Sequence, residues 1–200
     1  MNTSTQSQAS TRRRQEDRSA AMRARLIAAT IDSLVERGYA GTTTVEICKR
    51  AGVTRGALLH HFSGLADILA AAMAQIYDKL LDLSSGMGGI ADFADWIDQC
   101  WAQVSRPEFK AVIEIWLAAR NDPGLAPSLG HEIERYKHIF TPEDNPALAR
   151  TLGTSKKAIG FYRLAVETMI GMALGRATSP GHTPLGHEAV VLKQLKAAAP

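Results

Sequence analysis

The stretch "TVEICKRAGVTRGALLHHF", residues 44–62, decides the fold. Thr43, just before it, and Glu46 within it have the S/T-x-x-E spacing of a capping box, which opens a helix by satisfying backbone N–H groups that have no intrahelical acceptor. Ile47, Cys48 and Ala51 fall on one face of that helix. Gly52 then permits a left-handed turn, Val53 plugs it with an apolar side chain, and Thr54 caps a further helix carrying Leu58, Leu59 and Phe62. A helix, a tight glycine turn and a second short helix make a helix-turn-helix, whose second helix enters the major groove of DNA.

The side chains of this unit have chemistry suited to that task. Arg55, in the first turn of the second helix, is the candidate base reader, because guanidinium pairs bidentately with guanine O6 and N7. Gly56 and Ala57 leave room for close approach, and the Ala57 methyl can touch a thymine methyl. His60 and His61, where that helix runs out, are placed to donate to phosphate oxygens, a contact that sets register and carries no sequence information. Two ordinary surface histidines are the alternative.

Upstream, residues 1–18 are rich in Ser, Thr and Gln and end in the Arg12–Arg14 run, the composition of a disordered basic arm. Leu26, Ile27, Ile31, Leu34 and Val35 then recur at helical spacing, and Gly38-Tyr39 supplies a glycine stop, so a first helix is expected from Ser19 to Arg37. These segments form an expected DNA-binding domain over residues 19–64. Downstream, Ser63 is expected to cap a fourth helix. Further helices are expected around residues 93–104, from Pro107 to "NDPG", from Ser128 to Phe140 and from Ser155 to Arg176, with a last one opened by Thr183-Pro184 and ending near Ala197. No alternating β pattern is present. The expected class is all-α: an N-terminal three-helix DNA-binding domain joined to a C-terminal helical ligand-binding and dimerisation bundle over residues 65–200, about nine helices in total.

Composition limits the alternatives. Of 200 residues 46% are hydrophobic and 22% charged, which argues against wholesale disorder. Residues 1–62 hold ten Lys and Arg against five Asp and Glu, an excess that the rest of the chain lacks; a basic part that meets a polyanion is the implied arrangement. Cys48 and Cys100 lack metal-ligand or CxxC spacing and read as reduced core residues. No uninterrupted apolar run approaches the roughly 20 residues of a membrane span, and the N-terminus lacks the apolar core of a signal peptide, so a cytoplasmic protein without membrane association is expected. P-loop, GxSxG and HExxH motifs are absent, which leaves an enzyme as a remote alternative.

The segment "GYAGTTTVEICKRAGVTRGALLHHFSGLADIL" resembles the TetR family of transcriptional regulators: a first helix ending in Gly-Tyr, a Thr-capped second helix and an Ala-Gly-Val turn. By position, the resemblance implies that Thr43 and Thr44 meet phosphate, that Arg55 to Ala57 face bases, and that His60 and His61 lie along the backbone. Leu59 stands where the family usually has Tyr, removing a hydroxyl contact to phosphate, and Leu65 replaces a common Lys. The family's ligand-linked release from a palindromic operator implies a repressor with a small-molecule effector. A dimeric DNA-binding protein without an effector is the alternative.

Candidates for the remaining functions lie beyond residue 65. Trp96, Trp101, Trp116, Tyr136, Phe140, Phe161 and Met169 are apolar candidates for a ligand cavity between helices, with Arg120 and Arg163 as partners for an anionic group and Glu114 and Glu167 as their counterparts. The same residues at helical spacing also read as plain core. Gly171 and Gly175 of the penultimate helix, with Leu185, Val190, Val191 and Leu195 after it, form a candidate two-fold dimer contact, intrachain packing being the alternative; the resemblance also implies a homodimer through the last two helices. His131, Glu134 and His138 share a helical face, but that spacing has little specificity, so no metal and no cofactor is expected.

Overall fold

Between its start and Gly38 the chain contains neither Gly nor Pro, and nothing in it stops a helix once one has begun. The computed structural model describes residues 3–85, 90–139, 149, 150, 153–179, 181 and 183–199. Its first helix, α1, runs Thr3–Gly41 and is interrupted at Gly38 (φ 67°, ψ −177°). The described part of the expected disordered arm, residues 3–18, is therefore the first four turns of α1. Gln, Ala, Arg and Glu are good helix formers, and Arg12 pairs with Glu16 one turn on; the Arg run extends the helix rather than ending it.

Eight more helices follow among the described residues, which include no strand: α2 Thr44–Ala51, α3 Arg55–His61, α4 Leu65–Ser85, α5 Phe93–Val104, α6 Pro107–Asn121, α7 Ala126–Ile139, α8 Lys156–Thr178 and α9 Glu188–Ala197. Local chemistry sets most of the boundaries. Asp92 caps α5 by accepting from the Asp95 N–H at 2.9 Å, and Ser155 caps α8 by accepting from the Ala158 N–H at 3.1 Å. Two expectations differ. Ser63 does not cap α4; its N–H and hydroxyl both donate to the Asp67 carboxylate, at 2.8 and 3.3 Å, so the acid inside the helix reaches back over the turn. Thr183-Pro184 does not open the last helix, because Gly186 at φ 84° turns the chain and α9 starts after His187.

α4 and α6 form the spine. α6 packs on α1, α4, α7 and α8, while α5 is held by α4, α8 and α9. One continuous apolar core runs from Leu26, Leu34, Ile47, Leu58 and Phe62 in the first three helices through Ile68, Met73 and Tyr77 of α4 to Ile97, Val112, Ile115, Tyr162 and Met169. α8 is long and apolar enough by composition to cross a membrane. Its Tyr162, Ala165, Val166, Met169, Met172 and Ala173 are nevertheless buried, and Arg163 and Glu167 are exposed on its outer side, which is the pattern of a core helix. Both cysteines are free and buried, and burial pushes the Cys100 thiol up to about 12.

The end of α1 is gripped by α6. Lys110 Nζ donates to the Val35 carbonyl at 3.1 Å, and the Tyr39 N–H donates to Glu114 Oε2 at 3.0 Å. Tyr39 Oη reaches Asp122 at 3.3 Å. Burial, reinforced by that carboxylate, raises the Tyr39 pKa above its ordinary value. Gly38 is required here twice over: its backbone lies in a region essentially closed to other residues, and a Cβ would stand 3.1 Å from Glu114 Oε2. Gly38→Ala is expected to lower the unfolding free energy by about 1–3 kcal/mol, read from the shift of a urea unfolding midpoint at unchanged slope.

Candidate nucleic-acid interface

The helix-turn-helix is assembled almost wholly by local bonds. The Glu46 N–H donates to Thr43 Oγ1 at 3.2 Å, capping α2. Only this half of the capping box forms, since the Glu46 carboxylate turns instead to Arg50 at 2.7 Å and Arg37 at 3.2 Å. Beneath it, Thr42 Oγ1 donates to the Gly38 carbonyl at 2.8 Å; its single proton is thus committed, and the buried Ser33 hydroxyl donates to Thr42 at 2.9 Å. At the far end Gly52 (φ 62°, ψ 40°) makes a Schellman turn: the Val53 N–H donates to the Cys48 carbonyl at 3.0 Å and the Gly52 N–H to that of Lys49 at 3.2 Å. Thr54 Oγ1 then accepts from the Ala57 N–H at 3.2 Å and starts α3.

With backbone groups satisfied from within, the outer side chains are left for a partner. Arg55, Gly56, Leu59 and His60 are exposed and Ala57 and His61 half-buried, while Leu58 and Phe62 are buried beneath them. Arg55 makes no ion pair among the described residues, and the rings of His60 and His61 stand edge to face with centroids 5.1 Å apart. Thr43 and Thr44 begin α2 beside Val45, whose side chain is 71% exposed; Leu59 is 49% exposed. Two outward apolar side chains next to cations fit contact with sugars and thymine methyls.

Two contributors were not singled out from sequence. Arg23 of α1 donates from Nη1 to the His61 carbonyl at 3.1 Å, and its guanidinium lies 4.2 Å from the Phe62 ring centroid. It therefore holds the last turn of α3 against α1. Arg50 donates to Glu46 and, at 2.7 Å, to Glu36, tying α2 to α1. The Glu46–Arg50 pair has the i,i+4 spacing of one helix face, but nothing in the local pattern marks the Arg50 bond to Glu36 or the Arg23 contacts, because those partners lie outside the arginine's own helix.

The candidate ligand residues do not form one lining. Trp96 stacks on Tyr162 with centroids 4.6 Å apart, and Phe161 meets Phe93 at 4.9 Å. Met169 is fully buried in the same core. Trp116 donates to Tyr77 Oη at 2.9 Å, and Trp101 lies beneath Arg176. Arg120 and Arg163 are exposed, and Glu114 is taken up by Tyr39. The Tyr136 side chain and Phe140 lie outside the described residues. A cavity of about 140 Å³ opens elsewhere, between Ile31 and Asp32 of α1, Gln75 and Lys79 of α4 and Phe109 of α6; none of the seven candidates with described side chains lines it. His131 pairs with the neighbouring Glu132 at 3.0 Å, and the His138 side chain lies outside the described residues.

The candidate dimer residues divide. A Cβ on Gly175 would stand 2.9 Å from Leu185 Cδ1 of the same chain, and Leu195 is buried in the core, so these three serve intrachain packing. Val191 is half-buried against that core, whereas Val190 is exposed and a Cβ on Gly171 would meet open space. Leu164 and Leu174 of α8, which were not among the candidates, are also exposed. Arg176 fixes the helix pair by donating through Nε to Glu188 at 2.9 Å.

Residues 26–72 match the family of bacterial regulatory proteins described as the tetR family. Over 133 residues the chain is 29% identical to the HTH-type transcriptional regulator CymR of Pseudomonas putida, covering 64% of this chain and 66% of that protein. Over 70 residues it is 40% identical to an uncharacterized HTH-type transcriptional regulator of Mycobacterium tuberculosis, covering 35% and 36% of the two chains. The chain thus spans just under two thirds of the first relative and about a third of the second. The crystal structure of a transcriptional regulator from Rhodococcus sp. Rha1 is similar at a TM-score of 0.67 and 29% identity, over 88% of this chain and 95% of that one.

The Arg50 hydrogen bond, with the surrounding cations, holds the Glu46 carboxyl below its usual range, against a smaller opposing effect of burial. A pKa depressed on folding contributes stability above the unfolded-state value and loses it as pH falls through the folded one. Glu46→Gln should therefore be less stable than the parent at about pH 7, and the gap should close on acidification to about pH 3, followed by urea unfolding across that range.

Proposed function

We propose that this chain, a member of the TetR family of bacterial regulatory proteins, is a transcriptional regulator rather than an enzyme, binds a palindromic operator as a homodimer and is a repressor released by a small-molecule effector. The observation that carries the reading is the α2–α3 unit: its backbone is capped from within, and Arg55, His60 and His61 stand outward on its surface with no ion pair among the described residues. In this reading Arg55 pairs with a guanine edge, Gly56 and Ala57 admit the backbone closely, and Thr43, Thr44, His60 and His61 contact phosphates. Leu59 replaces a polar phosphate contact with an apolar one.

TetR-family regulators bind operators and small molecules and form dimers. The exposed Leu164, Gly171 and Leu174 recur on one face of α8, and with Val190 of α9 they support a two-fold contact between chains. Such a dimer presents two α3 helices to successive turns of the duplex. For release, the effector binds preferentially the state whose heads are wrongly spaced. The α6 grip on α1 supports that linkage, since a shift of α6 is passed to Val35 and Tyr39 and so to α2 and α3. A regulator of this kind works in the cytoplasm, where its DNA is.

Selection of bound fragments from random and genomic DNA at about 150 mM salt, where non-specific binding is weakened, should recover one palindrome; recovery of no enriched sequence would overturn the reading. On that operator, Arg55→Ala should relax preference at one base pair per half-site by about 1–3 kcal/mol, measured by competition among single-base variants.

A further inference from the structure

The N-terminal turns of α1 and the helix α3 flank an open groove of about 580 Å³, lined by Arg12, Arg18 and Met22 on one side and by Ala57, His60 and His61 on the other. Arg12 and Arg18 are six residues apart on a continuous helix, about 9 Å along its axis at 1.5 Å per residue. Arg13, Arg14 and Arg18 are exposed and make no ion pair among the described residues. Arg12 pairs with Glu16, but the two side chains are 84% and 64% exposed, so the pair is weak and is readily given up to a phosphate. Arg23 and Arg25 extend the positive charge along α1, and residues 3–25 hold only Glu16 and Asp17 against it.

We infer that this groove receives the sugar–phosphate backbone of the duplex beyond the bases read by α3, with Arg12 and Arg18 as its phosphate-contacting side chains. The inference rests on the reading of α3 as the DNA-reading helix and adds a second contact surface to it. The extension being helical matters: two guanidinium groups on a rigid element lose less freedom on binding than the same groups on a disordered arm. Contacts of this kind add affinity without sequence preference and leave their mark in salt dependence.

The test is binding of the parent and the Arg12→Ala/Arg18→Ala variant to the selected operator and to a scrambled duplex of equal length, each over about 50 to 200 mM KCl. Alanine keeps the helix, which far-UV circular dichroism checks. The variant should bind both duplexes more weakly, with unchanged preference between them. The slope of log affinity against log salt should fall by about 0.9 for each lost phosphate contact, or about 1.8 for the pair; over that fourfold salt range the affinity drop would then be about 12-fold smaller than the parent's. The Arg12→Lys/Arg18→Lys variant should recover most of the slope, and Lys193→Ala, on the exposed side of α9, should leave it unchanged. An unchanged slope in the alanine variant, or a loss confined to the operator, would overturn the inference while leaving the α3 reading intact. A parent protein that does not prefer operator over scrambled duplex would instead remove the reading on which it rests.

Discussion

The position of the helix-turn-helix depends on how one helix end is satisfied. Where α1 breaks at Gly38, a carbonyl and an N–H come free that no intrahelical partner can take, and α6 supplies both: Lys110 to the Val35 carbonyl, Glu114 to the Tyr39 N–H. One acid and one base, a turn apart on α6, thus hold the first three helices by polar bonds of defined direction rather than by apolar contact alone. Apolar surfaces slide; a carbonyl and an N–H held at about 3 Å do not. Loss of either partner would leave a partly buried backbone group unpaired, which makes the junction costly to disturb and sensitive to where α6 sits.

Beyond that junction the helix-turn-helix is built to be stiff. Thr43 and Thr54 cap its two helices, Gly52 turns between them, and Arg23 and Arg50 pin them to α1 from opposite ends. Every one of these bonds spends a polar group on the protein itself. Groups not so spent, Arg55 and His60 of α3 together with Arg13, Arg14 and Arg18 of the α1 extension, lie on the outside. Internal satisfaction and external availability are therefore complementary: rigidity fixes where the outward side chains stand.

The body follows a different logic. Phe93, Trp96, Phe161 and Tyr162 form a ring-on-ring cluster joining α5 to α8, and Trp116 is tied to Tyr77 across α6 and α4. The aromatic residues of this cluster weld helices together, while the cavity between α1, α4 and α6 is lined by polar and aliphatic groups with Phe109 as its aromatic side chain among the described residues. Small displacements of the spine are consequently carried as rigid-body shifts of packed helices, because a core this filled deforms poorly.

What the sequence determined by itself was the local part. The starts and turns at Thr43, Gly52, Thr54 and Ser155 are written in residues within one turn of the groups they satisfy, so the helix count and the helix-turn-helix were legible without knowing what packs on what. The expected arm failed for the same reason in reverse: composition was weighed over a stretch that contains no residue able to stop a helix. Tertiary structure alone decided which partner each long-range group found. Glu114, equally plausible as a ligand counter-charge, was committed to Tyr39; Gly175 was closed by Leu185, Arg176 by Glu188, and Arg23 by the end of α3. Such pairings join residues from 10 to 75 positions apart. They depend on the angle at which helices cross, a quantity set by the whole apolar core and encoded in no short stretch of chain.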